Sequence, residues 1–176
     1  MRHVTLITTG GTIEKTYDEA TGELSNRRTV VHRMLKRLRL EDTAISIVEL
    51  LSKDSLHMTD QDRDAIVQAL RAVGAEEAPS GTGRGERGIV ILHGTDTLTL
   101  TGERILQELS RIQVPVVLTG AMRPFEMTRS DALQNLTEAV FAAGVLGPGV
   151  YCVAHGRVLP FPGVKKDRER RTFVSA

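Results

Sequence analysis

The spacing of hydrophobic and polar positions switches repeatedly along the chain, and each switch marks an element. Short aliphatic and β-branched runs lie at 3–9, 44–51 (Ala-Ile-Ser-Ile-Val-Glu-Leu-Leu), 88–92, 114–119 (Val-Pro-Val-Val-Leu-Thr) and 149–154 (Gly-Val-Tyr-Cys-Val-Ala). Runs this short and this apolar read as strands buried on both faces. Between them, apolar residues recur at helical spacing: Val31, Met34, Leu35 and Leu38; Ile66, Leu70 and Val73; Ile105, Leu106, Leu109 and Ile112; Leu136, Val140 and Ala143. Thr59-Asp60-Gln61-Asp62 predicts an N-cap followed by an acidic first turn, and Ser130-Asp131 predicts a second cap. Strands alternating with helices imply βαβ units. The expected fold is a three-layer α/β/α sandwich with a mostly parallel, Rossmann-like sheet, and residues 1–176 are expected to form one domain.

Two segments break the alternation. Residues 14–28 are polar and nearly aperiodic, and they directly follow a Gly-Gly pair, so they are expected to form a flexible lid loop beside a site. Residues 74–88 are rich in glycine and charge and read as a flexible surface connection. From Lys165 onward the chain is strongly charged and is expected on the surface unless function holds its start in place.

Composition narrows the function classes. Lys and Arg number 23 and Asp and Glu 22, a net charge of +1 that offers no basic excess for nucleic acid or an anionic membrane. No apolar run approaches the roughly 18 residues of a membrane span. Met1-Arg2-His3 leads straight into a strand rather than a signal sequence. The single cysteine, Cys152, lies in an apolar run and reads as an inert thiol in a reducing compartment. The expected location is the cytoplasm.

The candidate chemistry sits at two strand ends. Thr8-Thr9-Gly10-Gly11-Thr12-Ile13 follows the first strand and His93-Gly94-Thr95-Asp96-Thr97-Leu98 follows another. Open parallel sheets bind ligands at the carboxyl ends of their strands, and glycine lets a ligand approach the backbone closely. Thr12, Thr95 and Asp96 taken singly are equally ordinary as β-formers or helix caps. Together they suggest a site for a small polar molecule with a threonine nucleophile, which needs a base to remove its proton. Nucleotide-binding patterns are missing: neither Gly-x-x-x-x-Gly-Lys-Ser/Thr nor Gly-x-Gly-x-x-Gly opening a helix occurs, and Gly81-Thr82-Gly83-Arg84-Gly85 precedes a strand instead. His3, His32, His57, His93 and His155 lack metal-ligand spacing. His93 alone reads as a strand-end residue bonded to a neighbouring loop.

Thr9-Gly10-Gly11-Thr12-Ile13 and His93-Gly94-Thr95-Asp96-Thr97 closely resemble the two signature motifs of the bacterial-type L-asparaginase family. Thr119-Gly120-Ala121-Met122-Arg123-Pro124, with Asp131 and Asn135-Leu136 beyond it, is similar to a third family segment. Lys53-Asp54-Ser55-Leu56-His57-Met58-Thr59 resembles its substrate-carboxylate loop. The four stretches occur in family order over nearly the whole chain. The resemblance implies that Thr12 is the nucleophile, that Tyr17 is the lid tyrosine, and that Thr95, Asp96 and Lys166 form a supporting relay, with Lys165 as the competing lysine. It implies that Asp96 holds the substrate α-ammonium, that Ser55 takes the α-carboxylate, and that Gly11, Gly94, Thr95 and Ala121 surround the amide and its oxyanion.

The implied reaction is hydrolysis of L-asparagine to L-aspartate and ammonia by double displacement, with no metal or organic cofactor. The expected partner is that small-molecule substrate, within a homo-oligomer (dimer or tetramer). The chain resembles the N-terminal domain of the two-domain members and the short, single-domain asparaginases. Polar residues that a neighbouring subunit's second domain supplies at the α-amino end are not matched. Three other readings remain: a glutaminase or other side-chain amidase, a binding module without turnover, and an amidotransferase subunit that feeds ammonia to a partner.

Overall fold

The structure, a computed structural model, describes residues 1–78 and 87–176. Most of the segment read as a surface connection, including Gly81–Gly85, lies outside the described residues. Elements along the chain are β1 (Arg2–Gly10), β2 (Thr16–Asp18), β3 (Glu23–Ser25), α1 (Val31–Leu35), β4 (Thr43–Lys53), α2 (Asp60–Ala72), β5 (Arg87–Leu92) and α3 (Leu98–Glu108). They continue with β6 (Pro115–Thr119), α4 (Ala132–Val145), β7 (Gly149–Ala154), β8 (Arg157–Pro160), β9 (Val164–Asp167) and β10 (Thr172–Ser175).

The main sheet runs β4-β1-β5-β6-β7-β8. Its first five strands are parallel, and β8 returns antiparallel along β7. Alternate residues of the same strands feed opposite cores, as the pleat requires. Ile7, Ile89, Ile91, Val116 and Leu118 pack on Ile66 and Leu70 of α2 and Leu98 and Ile105 of α3. Leu6, Val90, Leu92 and Val117 pack on Val31 and Met34 of α1 and Leu136, Ala139 and Val140 of α4. The expected three layers are therefore present, with the sheet between two helical faces.

Three local expectations differ. The stripe Val31–Leu38 yields only one short helix, Val31–Leu35, after which the chain tightens into i→i+3 turns, Arg37 N–H to Met34 O and Leu38 N–H to Leu35 O, each at 3.0 Å. Residues 14–28 carry a small hairpin, with Tyr17 opposite Leu24. The charged C-terminal segment is not a surface tail: β9 and β10 pair antiparallel, and Val164 and Phe173 enter the core beside α3. Its charges form one unbroken run, Lys165–Arg171, and the buried Val164 and Phe173 flank that run, so a reading by composition passes over them.

Thr59 caps α2 as expected, its hydroxyl accepting from the Asp62 N–H while the Asp62 carboxylate accepts from the Thr59 N–H. Asp131 does not cap α4. Ser130 Oγ accepts the Ala132 N–H instead, at 3.1 Å, leaving the Asp131 carboxylate to turn toward the loop after β6. The helices of the described residues are all too short or too polar to cross a membrane.

Phe173 is the largest apolar group that β10 contributes, and it is fully buried. Truncation to alanine is expected to lower stability by about 3–5 kcal/mol, read as a drop in the urea midpoint. A loss under about 1 kcal/mol would show that the β9–β10 pair does not belong to the core.

Candidate active site

The carboxyl ends of β1 and β5 lie side by side because these strands are neighbours in the sheet. Thr9 Oγ1 donates to Leu92 O across the gap at 2.8 Å, and Thr119 Oγ1 does the same from β6 to Val153 O at 2.6 Å. Past the last ladder bonds, the chain turns at Gly10 and Gly11, whose φ angles are 96° and 80°. A side chain at Gly11 would collide with the Gly94 backbone, and one at Gly94 would collide with Ser55. Only glycine permits both the conformation and the approach. The loops that carry Thr12 and Thr95 are brought together as a result.

Thr12 begins a single 3-10 turn, Thr12–Glu14, and is half-buried. Thr95 is buried. Lys166, on β9, donates to Thr95 Oγ1 at 2.7 Å and to Asp96 Oδ1 at 2.9 Å. Arg168 lies 3.2 Å from the same Asp96 oxygen. Lys165 is exposed on the other side of the strand. Thr95, Asp96 and Lys166 thus form one connected group, with the lysine supplied by a segment far along the chain.

The remaining predicted residues divide. Ser55 sits in a 3-10 turn after β4, its side chain buried against Gly94 and its hydroxyl without a partner among the described residues. Thr97 Oγ1 holds its carbonyl at 2.8 Å. Ala121 is buried in the loop after β6. The Gly11 N–H donates to Lys53 O at 2.7 Å and is therefore not free for an oxyanion; the contribution of Gly11 is room. Among the described residues no such partner occupies the N–H of Thr95 or Ala121. Tyr17 is 58% exposed, with its hydroxyl beside Gly22 at the hairpin tip, so it is not gathered with the others.

The hairpin is held by charge. The Tyr17 N–H donates to Glu126, which also pairs with Arg33, while Arg27 pairs with Asp18. Lys15, at its base, bonds Asp54 at 2.6 Å. Burial works against the Asp54 charge, but the Lys15 bond and the Leu56 N–H outweigh it and hold the carboxyl below its ordinary range.

Two buried titratable groups set the electrostatics around the group. His93 is fully buried, with Nδ1 2.9 Å from Gly94 O and Nε2 2.8 Å from Thr101 Oγ1. Burial pushes it down to about 4, so it is neutral at physiological pH and acts as a strut between the β5 end and α3. Glu14, which the sequence pattern did not single out, is the buried last residue of the Thr12 turn. It accepts from the Gly10 N–H at 3.0 Å and bonds Thr29, closing the two stems of the lid on each other. Burial raises its pKa, against the Thr29 and Gly10 hydrogen bonds that lower it. Cys152 is inert, its thiol pushed up to about 12 by burial. No group of three or more His, Cys, Asp or Glu among the described residues is arranged to hold a metal.

Known proteins share the sequence pattern and the fold. The family described as "Asparaginase, N-terminal" matches residues 3–174. The L-asparaginase of Thermococcus kodakarensis superposes with a TM-score of 0.84 at 28% identity, over 98% of this chain and 51% of that one. L-asparaginase I of Vibrio cholerae superposes at 0.80 with 25% identity, over 99% and 51%. Among curated relatives, a glutamyl-tRNA(Gln) amidotransferase subunit from Methanococcus vannielii is 28% identical over 158 residues, 90% of this chain and 35% of that protein. Its counterpart from Pyrobaculum aerophilum is 32% identical over 137 residues, 78% and 31%. The chain thus spans about a third of the curated relatives and half of the solved ones.

The raised pKa of Glu14 has a defined consequence for stability. A folded-state value above the unfolded one favours folding fully below the ordinary value of 4.5 and loses that contribution as pH rises through the folded value. Glu14→Gln keeps one acceptor for Gly10 and one donor for Thr29 and cannot ionise. Its urea midpoint is expected to gain on wild type between pH 5 and pH 8. An unchanged difference over that range would place the carboxyl in an ordinary environment.

Proposed function

The chain belongs to the asparaginase family, and from that premise we propose that it hydrolyses the side-chain amide of free L-asparagine, with Thr12 as nucleophile. The observation that carries the reading is the reach of Lys166 Nζ to both Thr95 Oγ1 and Asp96 Oδ1 beside the Thr12 turn. A hydroxyl becomes nucleophilic when a neighbouring group accepts its proton, and the Thr95–Lys166 pair offers that path. Tyr17 stands outside the group, which favours the relay over the tyrosine as the base and leaves the hairpin the role of cover.

In the first half-reaction Thr12 Oγ1 bonds to the amide carbon as its proton passes to the relay. The carbon–nitrogen bond then breaks, and ammonia leaves carrying the returned proton. In the second, water attacks the acyl carbon, aspartate departs and Thr12 regains its hydrogen. The N–H groups of Thr95 and Ala121 face no competing acceptor and serve the oxyanion, at about 3 kcal/mol per donor from comparable sites. Asp96 Oδ2 remains for the substrate ammonium. Ser55 reaches the carboxylate only if its loop shifts from Gly94, so its backbone is the nearer contact. Action on a free amino acid fits a cytoplasmic homo-oligomer, and a neighbouring structure from Campylobacter jejuni is described as a probable cytoplasmic L-asparaginase.

A second reading is favoured by the curated relatives: a component of an amidotransferase that passes ammonia to a partner. The two separate by assay of the purified chain. Ammonia release from free asparagine without a partner supports the first, and release that appears only with a second protein supports the other. Glutamine is the control substrate, since one methylene separates amides by only about 1–3 kcal/mol.

Thr12→Ala is expected to abolish turnover and to remove an acyl adduct trapped on Thr12 by mass spectrometry. Lys166→Met is expected to lose at least ~10²-fold in kcat, with Lys165→Met near wild type. The reverse result would move the catalytic role to Lys165, and full activity in Thr12→Ala would end the nucleophile assignment.

A further inference from the structure

The most densely bonded polar cluster away from the relay lies at the carboxyl ends of β6 and β7. Asp131 accepts the Met122 N–H at 3.1 and 3.0 Å and the Arg123 N–H at 3.0 Å, fixing the loop that contains Ala121. Asn135 Nδ2 donates to Gly120 O at 2.8 Å, and Asn135 Oδ1 accepts the His155 N–H at 3.0 Å. His155 Nε2 lies 2.7 Å from Asp131 Oδ2, and its Nδ1 lies 2.9 Å from Thr172 Oγ1. Thr172 starts β10, where it pairs with Asp167, and its neighbour Phe173 pairs with Lys166.

Carboxylate, imidazole and hydroxyl in line form the order of a nucleophile-activating triad. Here the hydroxyl is held rather than presented: Thr172 is 9% exposed and locked in the strand pair. His155 also adopts a φ of 53°, a left-handed conformation uncommon for a residue with a side chain. It turns the chain between β7 and β8 and aims the ring between two segments that share no sheet.

We propose that His155 is a positioning residue that fixes the β9–β10 pair, and through it Lys166, against the Asp131-bound loop carrying Ala121. The proposal rests on the reading of Lys166 as part of the relay. Phe173 anchors the pair in the core, and Arg157 Nη1 holds the Phe173 carbonyl at 2.9 Å. Those contacts fix the depth of the pair. The His155–Thr172 bond, continued by His155–Asp131, ties the pair sideways to the loop opposite, and so bears on where β9 holds the lysine. A displacement of about an ångström at a reacting group costs up to ~10²-fold in rate, whereas substrate contacts through the Ser55 loop, held by Thr97 rather than by β9, would be little affected.

The test uses Thr172→Val, which keeps the β-branched shape and deletes the hydroxyl, with Thr172→Ser to restore it. Steady-state ammonia release is measured on L-asparagine and L-glutamine, alongside backbone amide exchange over 164–175. Thr172→Val is expected to lower kcat about tenfold or more with KM within about twofold, to speed exchange severalfold in β9 and β10, and to be rescued by Thr172→Ser. His155→Ala is expected to speed exchange at Met122 and Arg123 as well. A Thr172→Val protein with wild-type kcat, or with unchanged exchange over 164–175, overturns the proposal. A wild-type protein that releases no ammonia from either amide overturns the functional reading instead, and the exchange measurement then decides the positioning role alone.

Discussion

At the ends of β1 and β5 two glycine backbones meet where no Cβ could fit, and the site depends on that contact. Gly11 lies on Gly94, and Gly94 lies on Ser55. Three loops from three strands are thereby stacked, and two of them lead into Thr12 and Thr95. Hydroxyls of Thr9 and Thr97 then fasten the stack to Leu92 and Ser55. The Thr12 loop is packed directly on the loop that carries Thr95 and Asp96. Such packing holds the loops in fixed positions, and glycine takes the two consecutive positive φ angles at the end of this buried strand without strain.

Charge is distributed unevenly around this stack. The interior offers few reactive groups: His93 is neutral and engaged at both nitrogens, and the Cys152 thiol stays protonated. Lys166 is the group placed against the Thr95 hydroxyl, and Asp96 in turn accepts from Lys166. The 14–28 hairpin, by contrast, meets the rest of the chain through the Tyr17 N–H on Glu126 and through Lys15 on Asp54, while Asp18–Arg27 is an ion pair within it. Pairs of that kind contribute about 0–1 kcal/mol each. The buried Glu14 keeps the two stems of the hairpin together.

Much of this was legible in the order of residues. The five parallel strands stood out because each is a short apolar run, and the strand-end motifs stood out because glycine beside threonine at a strand end has a direct structural meaning. Other parts left little local trace. Phe173 is one aromatic residue within a charged segment, so its burial shows in neither composition nor period. Asp131 has the identity and position of a helix cap, and its carboxylate is drawn instead to two N–H groups of a loop eight or nine residues back. Glu14 carries a charge in a polar stretch, and nothing in its neighbours announces a buried site.

The sequence by itself determined the layers of the fold, the strand ends at which chemistry gathers, and the residue types suited to amide hydrolysis, because these follow from local pattern and from what glycine and threonine can do. Only the tertiary structure decided which lysine meets Thr95, that the Gly11 N–H is already occupied, and that Tyr17 stands apart from the relay. Those outcomes depend on how β9 pairs with β10 and how both settle beside α3. Such placement is set by packing between segments far apart in the chain, and no local period encodes it.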